Sequence, residues 1–125
     1  MPLTVTAQEK QAGIFTVYPA GSLDGNTSHL LEARLHAIRA ASPRVIVLDL
    51  KDLAYISSAG IRVIVATMKA MGQAGGSVAL TNLQPQIRKV FDIIGALPSL
   101  RIFRSVGELD AYLDHMQKKV TQGEE

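Results

Sequence analysis

Val45-Ile46-Val47-Leu48-Asp49-Leu50 leads through a short link into Tyr55-Ile56-Ser57-Ser58-Ala59-Gly60-Ile61, and these two segments decide the fold. The first is rich in β-branched residues and apolar on both faces, which is typical of a strand in the middle of a sheet covered by helices. The second places two hydroxyls and two small residues at the start of a helix. A serine exposed there is a candidate for catalysis, for phosphorylation or for simple helix capping.

Hydrophobic periodicity predicts strands and helices on both sides of these segments. Residues 3–8 alternate between apolar and polar, and residues 14–18 form a second strand, so a hairpin opens the chain and ends at Pro19. Asn26 or Thr27 can cap the first helix. The apolar residues expected to face the core from the helices are Leu31, Leu35, Ile38, Ile61, Ile64, Val65, Met68, Met71, Ile87, Val90, Phe91, Ile94, Leu109, Tyr112, Leu113 and Met116.

The predicted order of elements is β-β-α-β-α-β-α-β-α, with the last strand at residues 100–103. This order indicates one α/β domain over residues 1–117, with a mixed, mostly parallel sheet of about five strands and four helices. The opening hairpin supplies an antiparallel edge, and residues 118–125 are expected to form a flexible tail. Functional groups in such folds gather at the carboxyl ends of the strands, so we expect Asp24 and Ser58 to share one end of the sheet.

Composition argues against several classes of function. The 125 residues include no cysteine, which removes disulfides and thiolate chemistry and is compatible with the cytoplasm. A formal charge of +2, with 13 scattered Lys and Arg residues, does not favour binding to nucleic acid. No apolar run approaches the roughly 20 residues of a membrane-spanning helix. We therefore expect a cytoplasmic protein that binds neither nucleic acid nor membrane.

Neither serine has the surroundings that a catalytic nucleophile needs. His29 and His36 fall among polar neighbours on the first helix, His115 lies near the tail, and no Gly-x-Ser-x-Gly elbow is present. The histidines also lack the spacing of metal ligands, and no Lys-Ser/Thr pair follows the glycines at 72–76 as a phosphate loop requires. We expect no enzymatic activity, no cofactor and no metal site.

Ser58 is the stronger candidate for modification. A phosphate at a helix N-terminus is favoured by the unpaired amides and by the helix dipole, and it adds roughly −1.5 to −2 charges at neutral pH. Neither Ser57 nor Ser58 has Glu or Gln three residues later, so no capping box holds its hydroxyl. The residues alone leave two interpretations open: a phosphate acceptor, or an N-cap that contributes about 1 kcal/mol.

The segment Val45 to Ile64 resembles the STAS domain, the sulfate-transporter and anti-sigma-factor-antagonist family. The hallmark of that family is an apolar strand, a short link and then Asp-Ser-Ser-Gly, or a variant, at the start of a helix. The resemblance extends to Gly21-Ser22-Leu23-Asp24, to a third helix over Pro85 to Gly95, and to the short last strand before the closing helix. The chain departs from the motif at two positions, with Ser57 in place of Asp and Ala59 in place of the second serine.

The resemblance implies an anti-sigma-factor antagonist that is phosphorylated on Ser58, with Ser57 as an alternative acceptor. The implied partner is both an anti-sigma factor and a serine kinase of the histidine-kinase-like ATPase type. The unphosphorylated form would sequester this partner and free the sigma factor, and a metal-dependent serine phosphatase would restore that form. Asp24 matches the acid that neighbours the phosphosite in the family. The alternative is a constitutive STAS scaffold or adaptor, in a signalling or transport-accessory complex, that is never phosphorylated.

The second helix supplies the expected docking surface. Its face opposite the predicted core combines small apolar residues with basic ones. The residues predicted to bind the partner are Ser57, Ala59, Gly60, Arg62, Val63, Ala66, Lys69 and Ala70. A competing interpretation is that Ala66 and Ala70 are simply good helix formers.

Overall fold

The structure, a computed structural model, describes residues 2–96 and contains five strands and three helices in that range. In chain order these are β1 (Leu3–Gln11), β2 (Ile14–Leu23), α1 (Ser28–Arg39), β3 (Val45–Asp49), β4 (Leu53–Ile56), α2 (Ser58–Gln73), β5 (Ser77–Thr81) and α3 (Pro85–Ala96). The last predicted strand at 100–103, the closing helix and the tail at 118–125 lie outside the described residues.

The strands form one mixed sheet in the order β1-β2-β3-β5, and β4 pairs with β2 beyond the end of β3. Among the described strands, β1 and β2 pair antiparallel, while β2–β3, β2–β4 and β3–β5 are parallel. The path from β2 to β3 to β5 steps across the sheet in one direction, so right-handed crossovers place α1 and α2 on the same face, where they contact each other. The predicted STAS-like α/β sheet with an antiparallel edge is confirmed.

Strand β2 is longer than predicted, because Pro19 does not end it. Residues 14–17 of β2 pair with β3, and residues 21–23 pair with β4. Pro19 therefore lies in the gap between two parallel partners, where its missing N–H removes no ladder hydrogen bond on that side. Gly21, two residues after Pro19, has a positive φ of +112°. A Cβ at that position would collide with the carbonyl oxygen of Pro2.

Strand β1 forms the free edge of the hairpin. Its residue Val5 lies opposite Pro19 of β2. The carbonyl oxygen of Val5 accepts a hydrogen bond from Nη2 of Arg34 on α1, at 3.1 Å. Helix α1 is thereby tied to the edge of the sheet as well as to its face.

Strand β4 was not predicted. It has only four residues, leads almost directly into α2 and shows no period-two alternation, since its first and fourth residues are the buried ones. Leu53 and Ile56, at its two ends, are fully buried. The strand fixes the position of the residues that follow it, Ser57 and Ser58.

The core lies between the sheet and its helices. As predicted, α1 buries Leu31, Leu35 and Ile38, and the central strand β3 fully buries Ile46 and Leu48. The largest fully buried side chains are Leu23, Leu31, Leu35, Ile46, Leu48, Leu50, Leu53, Ile56, Ile61, Ile64 and Ile87.

The predicted core face of α2 is partly wrong. Val65 and Met68 are 42% and 43% exposed, whereas Thr67 is 5% exposed and faces the interior. The hydroxyl of Thr67 donates to the carbonyl oxygen of Val63 at 2.9 Å, which satisfies it without a partner from the core. A threonine can therefore replace an apolar residue at this buried position. The buried face of α2 is rotated about the helix axis relative to the predicted face.

Candidate functional site

Strands β2 and β4 end side by side at the predicted site. Leu23 pairs with Ile56, and the backbone N–H of the next residue, Ser57, donates to the carbonyl oxygen of Leu23 at 2.9 Å. The loop that begins at Asp24 and the helix that begins at Ser58 therefore start from adjacent points. The structure brings these two segments together at the carboxyl ends of their strands, as expected from the sequence.

The carboxylate of Asp24 organises its own loop. Its Oδ1 accepts hydrogen bonds from the backbone N–H of Asn26 at 2.9 Å and of Thr27 at 3.2 Å. The hydroxyl of Thr27 accepts from the N–H of Asp24 at 2.9 Å and donates to the carbonyl oxygen of Ser22 at 2.8 Å. Thr27 stands at the N-cap of α1 without a side-chain cap bond, since its hydroxyl turns back to the loop.

Ser57 and Ser58 are buried, in contrast to the exposed serine expected from the sequence. Ser57 is 6% exposed and Ser58 is 0% exposed. Ser57 takes the N-cap position of α2 with extended backbone, but its side chain makes no cap hydrogen bond, and its Oγ has no partner within residues 2–96.

Gly60 permits the close packing that buries this turn. A Cβ on Gly60 would lie 2.6 Å from Cγ of Leu23 and 3.0 Å from Cγ1 of Ile56. Both of those side chains are fully buried at the ends of β2 and β4. The first turn of α2 thus rests directly on the strand ends, and Gly60 is internal rather than part of the surface.

The outer residues of α2 line a groove against α1. Three adjoining depressions of about 340, 390 and 190 Å³ follow the two helices, and neighbouring depressions share lining residues. We call this the α1–α2 groove. Its wall on α2 is formed by Ala59, Arg62, Val63, Ala66 and Ala70.

These five residues belong to the set predicted to bind a partner, and the structure brings them together on one surface. Lys69 is exposed but does not line the groove, while Ser57 and Gly60 are buried and do not line it either. The opposite wall was not predicted from the sequence. It comes from α1 and includes His29, Glu32, His36 and Arg39. Their spacing of three or four residues was the available signal, but it also describes an ordinary solvated helix face.

Within residues 2–96 no group of three or more His, Asp or Glu side chains is arranged to hold a metal ion. In the same range no helix is long and apolar enough to cross a lipid bilayer.

A model of the STAS domain family matches residues 6–109. A curated protein of Bordetella bronchiseptica, named putative anti-sigma factor antagonist BtrV, is 38% identical over 89 residues, which cover 71% of this chain and 77% of the relative. The anti-sigma F factor antagonist of Paenibacillus polymyxa is 30% identical over 96 residues, which cover 76% and 82%.

Two solved structures have a similar fold. An anti-sigma factor antagonist from Mycobacterium paratuberculosis superposes with a TM-score of 0.64 at 26% identity, covering 78% of this chain and 89% of the other. The Bacillus cell fate determinant SpoIIAA, in its phosphorylated form, gives a TM-score of 0.64 at 20% identity, covering 76% and 86%.

Proposed function

The chain belongs to the STAS domain family, and on this premise we propose that it is an anti-sigma factor antagonist, a binding protein rather than an enzyme. The observation that carries the proposal is the similarity to two relatives, 38% and 30% identical, that are both named anti-sigma factor antagonists. Each aligns with more than two thirds of the chain. We place this function in the cytoplasm, where the sigma factor and its inhibitor act.

We further propose that phosphorylation of Ser58 controls binding. The unphosphorylated form sequesters a partner that is both an anti-sigma factor and a serine kinase of the histidine-kinase-like ATPase type. The phosphorylated form releases it, and a metal-dependent serine phosphatase reverses the modification. The position of Ser58 at the N-terminus of the 16-residue helix α2 supports this role, because amides and dipole there stabilise a phosphate. Ser57, at the N-cap, is the alternative acceptor.

Burial of Ser58 implies that phosphorylation and structural change are coupled. Because Ser58 is 0% exposed, a phosphoryl group there lacks space and solvation for its roughly −1.5 to −2 charges, so we propose that the first turn of α2 shifts outward in the modified form while the phosphate stays at the N-terminus of the helix. Asp24 adds to this effect. The hydrogen bond from Ser57 to Leu23 holds the Asp24 loop beside the turn, and a nearby carboxylate repels the phosphate.

The partner is proposed to dock on α2 and to contact Ala59, Arg62, Val63, Ala66, Lys69 and Ala70. Ser57 and Gly60 contribute from below, since they set the position of the first turn. Displacement of the first turn of α2 changes the end of the docking surface that this turn forms. A loss of only about 2.7 kcal/mol of binding free energy is enough to weaken the complex about a hundredfold.

Intact-mass analysis tests the proposal. The chain is incubated with ATP and with each histidine-kinase-like anti-sigma factor purified from the same genome. We expect a gain of about 80 Da, the mass of one phosphoryl group, that is absent in Ser58→Ala and retained in Ser57→Ala. Binding by one of these proteins without any gain in mass would instead favour a constitutive adaptor. The absence of binding by all of them would overturn the proposed function.

A further inference from the structure

The α1–α2 groove is long enough to hold a short helix. Its lining includes the fully buried Leu35 and the half-buried Val63. It starts at Ala59, next to Ser58, and reaches Ala74 just beyond the end of α2. The 12 residues of α1 give it a length of about 18 Å, which is enough for about three turns of a bound helix.

The charged side chains that line the groove are two arginines and one glutamate, so its formal charge is positive. Helix α2 has no acidic residue, and its Arg62 lines the end near Ser58. Helix α1 contributes Arg39 at the other end, with His29 and His36 between. Glu32 is the one acidic side chain among the described residues that line the groove.

Small side chains make the groove accessible to a helix backbone. Ala59, Ala66 and Ala70 lie along the wall on α2, and each extends only a methyl group from the helix. A helix that enters can therefore approach α2 closely and pack its own larger apolar side chains between these methyl groups. Helix-in-groove binding of this kind uses apolar residues at positions i, i+3, i+4 and i+7 of the bound helix.

We propose that the α1–α2 groove binds an acidic amphipathic helix of the anti-sigma partner. This inference rests on the proposed function and adds the chemistry of the segment that is recognised. The apolar side of the bound helix packs on Val63 and Ala66, and its carboxylates face Arg39 and Arg62 at the two ends. Complementary charge fixes the direction and register of the helix in the groove.

The same arrangement accounts for release after phosphorylation. Ala59 forms the end of the groove and directly follows Ser58. A phosphate on Ser58 therefore adds negative charge at the end where Arg62 attracts a carboxylate of the bound helix. The repulsion acts on an acidic occupant and would favour a basic one, so the sign of the switch depends on the charge of the partner helix.

Binding measurements with three variants test this inference. The probe is the purified anti-sigma factor that binds the wild-type chain, with affinity measured by calorimetry at two salt concentrations. Arg39→Glu and Arg62→Glu are each expected to weaken binding about tenfold or more, since both place a like charge against the acidic helix. Glu32→Gln is expected to tighten binding a few-fold, and this gain should shrink at high salt. Arg88→Glu, a reversal at an exposed position on α3, is the matched control and should stay within about twofold.

Each outcome supports or overturns the inference. Thermal unfolding of the variants separates loss of binding from loss of fold, and all four positions are exposed. If the wild-type chain binds but Arg39→Glu and Arg62→Glu bind equally well, the groove inference is wrong and the proposed function stands. Tighter binding by these two variants would indicate a basic occupant and would also overturn it. If a photo-crosslinker at position 36 captures a second copy of this chain instead of the partner, the groove is a self-association surface. Failure of the wild-type chain to bind any anti-sigma factor overturns both proposals.

Discussion

The backbone N–H of Ser57 donates to the carbonyl oxygen of Leu23 at 2.9 Å. This bond joins the residue before the proposed phosphoacceptor to the residue before Asp24. Movement of the first turn of α2 must therefore either break the bond or carry the Asp24 loop with it. The two segments that the sequence marks as functional are mechanically coupled, and the following predictions depend on that coupling.

Phosphorylation of Ser58 is expected to open the first turn of α2. The N–H of Ile61 donates to the carbonyl oxygen of Ser57 at 3.0 Å, and this bond should lengthen or break in the modified form. Hydrogen exchange at Ile61 and Ser57 should then become about tenfold faster or more. The N–H of Ala74, which donates to Ala70 at the other end of the helix, is the internal reference and should not change. Equal protection of Ile61 in both forms would contradict the coupling of phosphorylation to opening.

Ser58→Asp should destabilise the fold more than the same charge placed one residue later. Ser58 is 0% exposed, so a carboxylate buried there is expected to lower the free energy of unfolding by about 3 kcal/mol. Ala59 is only half-buried in the same helical turn, and Ala59→Asp should change stability by less than about 1 kcal/mol. Urea denaturation measures both values. Equal effects would show that burial of Ser58 does not restrain the turn.

Gly60→Ala and Gly72→Ala should have opposite effects on stability. A Cβ at Gly60 would lie 2.6 Å from Cγ of Leu23, and this overpacking is expected to cost about 1 to 3 kcal/mol. A Cβ at Gly72, in the same helix, meets no atom within 4 Å, so alanine should stabilise the protein by up to about 1 kcal/mol. Thermal unfolding of the pair checks the prediction. A neutral Gly60→Ala would mean that α2 does not rest on the strand ends as described.

Two substitutions of Asp24 separate its structural role from its charge. Asp24→Ala removes the oxygen that accepts from the N–H groups of Asn26 and Thr27, and it should cost about 1 kcal/mol. Asp24→Asn keeps a side-chain oxygen for these bonds and should cost less than half as much. In the Ser58-phosphorylated chain, Asp24→Asn should be stabilising, because it removes a like charge near the phosphate. Denaturation of both chains tests this, and equal losses for Asn and Ala in the unmodified chain would mean that charge is what matters in the loop.

The parts of the fold that could be predicted are those with long, regular patterns. The β-branched run of β3 indicated a central strand, and the spacing of Leu31, Leu35 and Ile38 gave the buried side of α1. Strand β4 escaped prediction because four residues provide too little periodicity. Pro19 wrongly indicated the end of β2, because proline usually interrupts a strand. The strand accepts a proline here because β2 changes its parallel partner from β3 to β4 at this point.

The position of the candidate site could be predicted from the sequence, but the burial of its two serines could not. The serine motif marked the start of α2, and the order of elements placed Asp24 at the same end of the sheet. Burial of Ser58 depends on the fit of Gly60 against side chains from β2 and β4, which are distant in sequence. The groove likewise required two helices to be in contact, since Arg62 on one wall and His36 on the other share no local pattern.

The hydrogen bond from Arg34 to the carbonyl oxygen of Val5 also bears on whether the protein stays monomeric. An edge strand with free carbonyl and amide groups invites addition of a strand from another copy, which leads to dimers or aggregates. At Val5 the acceptor is already occupied by a charged side chain, at 3.1 Å, from the helix that packs beside it. A second β1 strand would have to displace that guanidinium before it could pair across this position. The bond therefore opposes the addition of another strand at this position of β1.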